Sequence, residues 1–521
     1  MADLVRLRLK PEEFADSNTI AVKLKAAVEK PFKQYFIVRK SIDARQRQVM
    51  IDAEFLVYYS SEDVIKENEE FKAIELRPVP NDSLSVIIVG AGPAGLFAAI
   101  RAIELGWRPI IIERGKPVEE RLKDIVKLQK EQTLDSNSNF CFGEGGAGAF
   151  SDGKLFTRSK KRGNVKEILG LLYHFGAKEE ILYEAHPHIG SDRLPKIIKN
   201  IRESILRCGG EILFSTSLHS LEIEDRKIVG IVTDKGEHLK GPVILATGHS
   251  AHDVYEYLSS EGIPLEQKGF AMGVRLEHPQ NLIDRLVYHS ASGRGKYLPP
   301  AEYKMNCQVD GRGVYSFCMC PGGVIVPSAS AQNESVVNGM SSSGRSGKWA
   351  NSGMVVEIRP EDFPEYQKKG DLGMLYLQQD TERKFYTESG SINAPAQRMR
   401  DFIEGKESKD LPKTSYVPGA HPADLSRLLP QHVAKRLKEG LKIFGKKQKG
   451  FITNEAILIG LESRTSSPVR IPRDSELLHH PSFPGLYPAG EGAGFSGGIV
   501  SSAIDGRRVM EAIDKKYRTP K

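Results

Sequence analysis

The sequence predicts an α/β fold built on a parallel sheet, and two stretches of the chain lead to that prediction. Residues 86–89 are apolar and β-branched, as in a strand buried on both faces, and they lead into a G-x-G-x-x-G and an apolar stripe at helical spacing. Residues 485–500 repeat this order of strand, glycine turn and helix start. Such units are typical of Rossmann-like domains, so we expect both stretches to contribute to one.

The first glycine turn predicts a dinucleotide site, with a merely glycine-rich βα turn as the alternative. Its residues are Gly90, Gly92, Pro93, Ala94 and Gly95. The first glycine permits the tight turn, the second lets backbone approach a pyrophosphate, and the third lets the helix pack on the strand. A second apolar strand then delivers Glu113, followed by Arg114. We expect the Glu113 carboxylate to accept hydrogen bonds from an adenosine ribose.

The composition predicts a globular chain of two or three domains. Its 521 residues are 40% hydrophobic and 27% charged, and the formal net charge of +7 is spread along the chain, so no nucleic-acid partner is favoured. No stretch has the composition of a membrane span and no signal peptide is recognisable, so we expect a cytoplasmic protein without membrane contact. The five cysteines give no disulfide framework, and the absence of a C-x-x-C argues against a dithiol disulfide reductase.

Residues 1–78 predict a small βαββ domain that is joined to the rest by the proline-containing linker 77–82. An alternating edge strand comes first, then a helix with an apolar stripe, then two more strands. The domain holds no cluster of catalytic residue types. We therefore interpret it as a docking or capping domain.

A second glycine-rich stretch lies between phenylalanines at residues 142–154. This bracketing favours a packed loop that lines a ligand over a flexible surface loop. The cofactor-contacting residues expected there are Gly145, Gly146, Ala147 and Gly148. Further on, His186 and His188 precede a helix, and no carboxylate or cysteine lies at ligand spacing near them, so we predict no metal site.

Three short alternating strands are predicted next, over residues 211–215, 218–224 and 228–233. They are followed by a buried strand that ends in Ala246, Thr247 and Gly248, where small residues let the backbone pass close to a ligand. We include these three residues, together with Leu218, in the expected cofactor site.

From residue 254 to residue 449 strands and helices no longer alternate cleanly, which predicts an inserted α+β domain. Arg275 and Glu277 share one face of a predicted strand, where they pair with each other or face a cavity. Cys318 and Cys320 share a strand face, where packing as small apolar residues is favoured over a redox or zinc role. Two more arginines, Arg345 and Arg464, lie in donor-rich loops that hold an anion or satisfy their own backbone.

Four of these pieces, in this order, resemble the FAD-binding fold of the glutathione-reductase superfamily, especially its fumarate-reductase-like branch. They are the glycine turn with Glu113, the three-strand meander, residues 246–248, and residues 485–491 with the helix that follows. The resemblance implies that Glu491, which stands where aspartate is usual, bonds the ribityl chain. It also implies that the helix start points at flavin O2, with cofactor contacts at Gly490, Gly497, Gly498 and Ile499.

A closer resemblance, over nearly the whole chain, is to a bacterial family of uncharacterised FAD-dependent proteins often labelled NAD(FAD)-utilising dehydrogenases. It rests on residues 143–155, 186–194, 270–279, 313–323, 338–351 and 462–472. It implies a fold and a cofactor but no established substrate. Because the middle of the chain has no second G-x-G-x-x-G, we expect bound FAD, with NAD(P)H only as a transient reductant.

The predicted architecture is α/β: a Rossmann-like FAD-binding domain with a parallel sheet and a three-strand meander (84–253 and 450–515), an inserted substrate or cap domain (254–449) and the N-terminal domain. The predicted function is an FAD-dependent oxidoreductase that passes hydride between flavin N5 and an unidentified anionic small molecule. The predicted catalytic residues are His188 or Glu277 for proton transfer and Arg275, Arg345 and Arg464 as anion anchors. The alternatives are an RNA-modifying flavoprotein and a non-catalytic flavin scaffold, and oligomeric state is left open.

Overall fold

The computed structural model describes residues 2–60, 75–157 and 163–518. Its strands are β1 (Ala2–Leu9), β2 (Gln34–Asp43), β3 (Met50–Tyr58), β4 (Ser85–Val89), β5 (Arg108–Glu113), β6 (Glu211–Phe214), β7 (Leu218–Glu224), β8 (Lys227–Thr233), β9 (His238–Lys240), β10 (Val243–Leu245), β11 (Glu266–Gln267), β12 (Phe270–Pro279), β13 (Asn306–Val309), β14 (Arg312–Pro327), β15 (Val337–Met340), β16 (Trp349–Ile358), β17 (Ala394–Arg398), β18 (Ala420–Pro422), β19 (Ile457–Glu462), β20 (Val469–Arg470) and β21 (Leu486–Pro488).

The α-helices between these strands vary from one turn to five. They are α1 (Pro11–Phe14), α2 (Ser17–Ala27), α3 (Pro93–Glu104), α4 (Val118–Glu131), α5 (Val165–His174), α6 (Leu194–Arg207), α7 (His252–Ser260), α8 (Gln280–Val287), α9 (Pro364–Gln367), α10 (Gly373–Ser389), α11 (Met399–Glu404), α12 (Leu425–Leu428), α13 (Gln431–Lys447) and α14 (Ile499–Arg518). Among the residues described, no helix combines the length and the apolar character needed to cross a membrane.

A five-stranded parallel sheet in the order β21-β10-β4-β5-β6 forms the centre of the first unit. The β-branched residues of β4 are buried on both faces, as the sequence predicted. Helices α3 and α14 pack on each other so closely that a Cβ at Gly506 would overlap the Ala94 carbonyl. Because β21 and α14 come from the far end of the chain, the sheet is completed only by both stretches, and the predicted Rossmann-like α/β fold is confirmed.

The small antiparallel sheet beside it differs in one strand from the predicted meander. Its strands are β7, β8 and β9, whereas β6 pairs in parallel with β5 and belongs to the main sheet. Residues 211–215 were therefore assigned to the wrong sheet. The third strand of the meander, β9, has only three residues, too few to show an alternating pattern.

The middle unit is an eight-stranded sheet, mostly antiparallel, in the order β13-β14-β16-β12-β19-β17-β18, with β15 paired to β14. Helix α13 packs its apolar face on this sheet, burying Val433, Leu437, Leu441 and Phe444. Strand β19 lies between β12 and β17. The sheet therefore continues past residue 449, where the sequence predicted that the inserted domain ends.

The N-terminal unit is a three-stranded sheet in the order β1-β3-β2 with α2 on one face, around a separate core that includes Leu9, Leu24 and Phe55. It contacts the first unit through Lys40, whose backbone bonds to Tyr183 and Ala185 and whose Nζ lies 2.8 Å from Glu184 Oε1. Residues 61–74 of the predicted domain lie outside the described residues.

Candidate functional site

A cavity of about 400 Å³ opens where the parallel sheet meets the middle sheet. Its walls come from the carboxyl ends of β4, β5, β10 and β21, from the glycine loop at 141–154, and from residues of β14 and β15. The carboxyl ends of parallel strands are where doubly wound proteins bind ligands. The position of the cavity therefore follows from the topology.

Most residues predicted to contact the cofactor lie on the cavity wall. They are Gly90, Gly92, Pro93, Ala94, Glu113, Arg114, Gly146, Ala147, Gly148, Leu218, Ala246, Thr247, Gly248, Gly490, Glu491, Gly497, Gly498 and Ile499. Gly95 and Gly145 are the exceptions. A Cβ at Gly95 would overlap the Gly90 carbonyl, and one at Gly145 would overlap Ile198, so both glycines serve packing.

The glycine turn after β4 is shaped for close approach by a ligand. Gly90 has φ +106°, and a Cβ there would lie 2.5 Å from the Ala246 oxygen. Gly92, which precedes α3, has ordinary φ −77°, and a Cβ there would meet no atom closer than 3.9 Å. The added atom would instead enter the cavity at the N-terminal end of α3, where backbone N–H groups attract phosphate. These residues fit a dinucleotide pyrophosphate.

Glu113 is buried at the end of β5 and braces the two glycine loops. Its carboxylate accepts hydrogen bonds from the backbone N–H groups of Ala91 (2.8 Å), Gly115 (2.9 Å) and Gly143 (3.1 Å). Each oxygen keeps lone pairs, and the side chain lies on the cavity wall. The ribose contact stays a prediction, but the brace was not foreseen.

The glycine loop is held in place by a buried arginine that sequence reasoning missed. The fully buried Arg121 of α4 donates hydrogen bonds to the carbonyls of Asn139, Phe140 and Glu144, at 2.8 to 2.9 Å. A Cβ at Gly143 would lie 2.5 Å from Arg121 Cδ. The loop is therefore packed, as its flanking phenylalanines indicated, but its anchor lies on a helix that showed only a charged pattern.

The far end of the cavity is formed by the loop between β21 and α14. Asp505 of α14 accepts a hydrogen bond from Gly490 N (2.8 Å) and pairs with Arg473 (2.9 Å), which fixes this loop. Glu491 Oε1 lies 3.5 Å from His249 Nδ1, and both residues line the wall. His249 directly follows the predicted Ala246-Thr247-Gly248 and was not singled out.

Of the five predicted catalytic residues, Arg464 lines the cavity, but its charge is already neutralised. Its guanidinium lies 2.7 Å from Glu334 and 2.8 Å from Glu382, both buried. A guanidinium fork engaged by two carboxylates has no bidentate face left for a substrate. The structure therefore does not favour Arg464 as an anion anchor.

Arg275 and Glu277 are fully buried, and neither pairs with the other or lies on the cavity wall. Arg275 bonds to Glu462 at 3.2 Å, and Ser415 donates hydrogen bonds to Glu277 through its backbone N–H and its hydroxyl. A bulge near Gly273 interrupts the regular strand that the sequence pattern assumed. The structure therefore does not favour proton transfer by Glu277 or anion binding by Arg275 at this cavity.

His188 and Arg345 lie behind the cavity wall. His188 Nε2 is 3.2 Å from the Ser343 carbonyl, and burial, helped by nearby Arg345, lowers the pKa of His188. Arg345 Nη2 lies 2.6 Å from Asp152 Oδ2, so its charge is also paired. Asp152 lines the cavity, whereas Arg345 does not. Arg345 is therefore a neighbour of the site through Asp152.

The cavity wall also includes the polar residues Lys154, Asn338 and Cys318, beside Phe156 and Phe317. Lys154 Nζ lies 2.6 Å from Asp152 Oδ2. Burial disfavours the charged amine, but the Cys320 and Cys318 thiols and Asp152 outweigh burial and raise the pKa of Lys154. Lys154 is the last residue of the glycine-rich stretch 142–154, and this position was the signal in the sequence that could have identified it. The described residues include no group of three or more metal-ligand side chains.

Three family models match the chain: a domain of unknown function at residues 1–58, an FAD binding domain at residues 85–122, and an FAD-dependent protein C-terminal domain-like family at residues 269–465. The FAD binding match covers the glycine turn and Glu113, whose geometry fits a dinucleotide. FAD is the cofactor of this chain. The predicted branch within the FAD-binding superfamily is not resolved by these matches.

An uncharacterised protein of Clostridium beijerinckii is 40% identical over 503 residues, which covers 93% of each chain. Thiamine thiazole synthase of Aeropyrum pernix is 27% identical over 150 residues, 29% of this chain and 43% of that protein. Among solved structures, glycine oxidase of Bacillus cereus has a TM-score of 0.32 at 14% identity, covering 84% of this chain and 96% of its own. CtdE in complex with FAD has a TM-score of 0.32 at 12% identity, with coverage of 83% and 88%.

Proposed function

The chain belongs to the same family as the Clostridium beijerinckii protein, and we propose that it is an FAD-dependent oxidoreductase acting on a small anionic molecule. The observation that carries this proposal is the shared cavity. One wall is formed by the loops expected to hold FAD, and the opposite wall by residues of the middle sheet, including Phe317 and Asn338. An oxidoreductase needs such a space beside its cofactor for the substrate.

Bound FAD would supply hydride transfer at its N5. The residues expected to hold it are the glycine turn before α3, Glu113, Glu491 and the backbone at Gly498 and Ile499. The start of α14 would place N–H groups near an electron-rich atom of the cofactor. This chain's part is to bind, orient and exclude water.

Lys154 replaces the predicted arginines as the anion-binding group in this proposal. Lys154 lines the cavity, and its carboxylate partner Asp152 is shared with Arg345. A cation on the cavity wall supports an anionic substrate. His249, on the wall beside Glu491, is the group placed to hold or move a proton.

The test is anaerobic mixing of the FAD-loaded protein with NADH, NADPH or sets of small carboxylic acids while the visible flavin absorbance is followed. We expect rapid loss of absorbance with one of these reductants, which would also name the donor class. A bound FAD that none of these compounds nor dithionite reduces would overturn the proposal in favour of a flavin scaffold.

A further inference from the structure

Two cysteines lie at an irregular point of strand β14, beside the cavity. Between Phe317, opposite Gly353, and Cys320, opposite Asn351, β14 carries one residue more than its partner strand. Cys318 within this bulge has φ +44°, a value that non-glycine residues rarely adopt. The bulge places Cys318 on the cavity wall, with Cys320 buried. Bulges and positive φ at non-glycine residues concentrate at functional sites.

The Cys320 thiol and the Cys318 backbone lie beside cations. Cys320 Sγ is 3.4 Å from Arg275 Nη2 and 4.0 Å from Lys154 Nζ, and the same Arg275 nitrogen donates to the Cys318 carbonyl at 2.7 Å. The Cys320 thiol also donates to the Cys318 carbonyl, at 3.3 Å. The neighbouring Cys320, followed by Lys154 and Arg275, lowers the pKa of the Cys318 thiol, which favours a negative charge on the cysteine that lines the cavity.

The charges around the pair support this arrangement. Lys154 and Arg345 share the carboxylate of Asp152, and Arg275 pairs with Glu462, whose pKa burial raises to about 7. A thiolate at the pair would add a negative charge beside these three cations. The thiolate, and not the thiol, is the reactive form of cysteine.

Two more groups face this cluster from outside. Glu302 lies 3.9 Å from Arg345 Nη1 but is paired with His186 at 3.0 Å. The pKa of His188 is lowered, so that it adds no charge near neutral pH. Neither removes the excess of positive charge at the thiols.

Two other cysteines, Cys208 and Cys307, have different surroundings. Burial raises the pKa of Cys208 and of Cys307, and the causes of these shifts include no neighbouring thiol and no buried cation pair. These two cysteines match the small-apolar-residue role that the sequence favoured for Cys318 and Cys320. Packing alone requires neither the bulge nor the cations found at the pair.

We propose that Cys318 and Cys320 form a dithiol–disulfide redox centre that exchanges two electrons with FAD bound in the cavity. This inference rests on the proposed function, because it needs FAD in the cavity. The substrate class it adds is a disulfide small enough to enter. It departs from the expectation that the absence of a C-x-x-C argues against a dithiol disulfide reductase.

The step balances as follows for the pair and FAD. The Cys318 thiolate and the Cys320 thiol join through an Sγ–Sγ bond, the Cys320 S–H bond breaks, and two electrons and one proton pass to oxidised FAD. The product is the disulfide and the anionic, two-electron-reduced FAD. In reverse, reduced FAD would reopen the disulfide, and the Cys318 thiolate then attacks a small disulfide and expels one thiolate. Cys320 attacks the resulting mixed disulfide, its proton leaves with the second thiol, and the Cys318–Cys320 disulfide forms again.

The first test counts electrons. Anaerobic titration of the fully oxidised, FAD-loaded protein with dithionite should require four electrons per FAD, two for the flavin and two for the disulfide. Cys318→Ser and Cys320→Ser should each require two, while Cys307→Ser, the control, should require four. Two electrons per FAD in the unmodified protein would overturn the proposal.

The second test needs no variant and no bound FAD. The unmodified protein is equilibrated in oxidised and reduced dithiothreitol buffers, alkylated, digested and mapped by mass spectrometry. The peptide with Cys318 and Cys320 should lose two alkyl groups on oxidation while the Cys307 peptide keeps its label. Full alkylation of both thiols in every buffer would overturn the dithiol centre. A protein with this disulfide but no flavin absorbance would instead contradict the proposed function.

Discussion

At the scale of single residues, a substitution at Gly92 should impair cofactor binding without impairing folding. The backbone angles of Gly92 suit any residue, and a Cβ there would meet no atom closer than 3.9 Å and would enter the cavity. Gly92→Val should therefore fold with a melting temperature close to that of the unmodified protein and yet lose FAD. Measurement of the flavin-to-protein absorbance ratio, with thermal melting as the folding readout, checks this.

Gly170→Ala is the control, because a Cβ on this helical glycine meets nothing within 4 Å and the residue does not line the cavity. It should keep its FAD. Gly90→Ala should behave in a third way and destabilise the fold, because φ is +106° and a Cβ would lie 2.5 Å from the Ala246 oxygen. Retention of FAD by Gly92→Val would mean that the pyrophosphate lies elsewhere.

Lys154 sets the charge on the cysteine pair, so its removal should make the Cys318 thiolate less stable. In Lys154→Met the midpoint of the pH profile for alkylation of Cys318 should rise by about 1 to 3 pH units, the usual effect of losing one close opposite charge. Lys154→Arg should keep most of the effect. The profile is measured by iodoacetamide labelling and peptide mapping, and an unchanged midpoint in Lys154→Met would contradict the assigned role.

At the scale of elements, β12 brings a buried imidazole into the middle unit that makes stability depend on pH. Burial lowers the pKa of His278 to about 4, and its Nε2 lies 2.8 Å from the Phe451 carbonyl. The folded state thus binds fewer protons than the unfolded state between that pKa and 6.5. Stability from the neutral imidazole is present above pH 6.5 and is lost as pH falls through 4.

His278→Gln should therefore show a smaller fall in melting temperature between pH 6.5 and pH 4 than the unmodified protein. The linked free energy is at most about 3 kcal/mol, from about 1.4 kcal/mol per pKa unit. His219→Gln, at an exposed histidine, is the control and should leave the pH dependence unchanged. Parallel pH curves for His278→Gln and the unmodified protein would contradict the prediction.

The elements also show how far sequence reasoning reached. Strand β4, the glycine turn, α3 and β5 follow from local apolar patterns, and the residues predicted there to contact the cofactor lie mostly on one cavity wall. The partners of the buried arginines do not follow, because they come from distant positions. Arg464 binds Glu334 and Glu382, which are 130 and 82 residues away. A lone arginine in a polar loop therefore resembles an anion site although tertiary contacts have neutralised it.

The surroundings of Cys318 and Cys320 could not be predicted from the sequence for a different reason. A regular strand would place Cys318 and Cys320 on one face, but the bulge and the positive φ depend on how β14 pairs with β16. No local pattern in residues 312–327 encodes that pairing. The two cations beside Cys320, Arg275 and Lys154, come from 45 and 166 positions away in sequence.

At the scale of the whole molecule, none of the described residues of the N-terminal unit, 2–60, lies on the cavity wall. It has its own core and contacts the first unit through Lys40 and residues 183–185. A chain that starts at residue 75 should therefore bind FAD at the same ratio, with its visible spectrum unchanged. Flavin absorbance after gel filtration measures this, and loss of FAD would show that the N-terminal unit supports the site.

The parallel sheet has a consequence for how this protein is made in the cell. Strand β21 and helix α14 are translated after the entire middle unit, yet they form one side of the sheet and part of the FAD site. While residues 486–518 are still inside the ribosome, β10 has an unpaired edge and α3 an uncovered apolar face, both of which invite contacts with other chains. We therefore expect cofactor insertion to follow the emergence of β21 and α14.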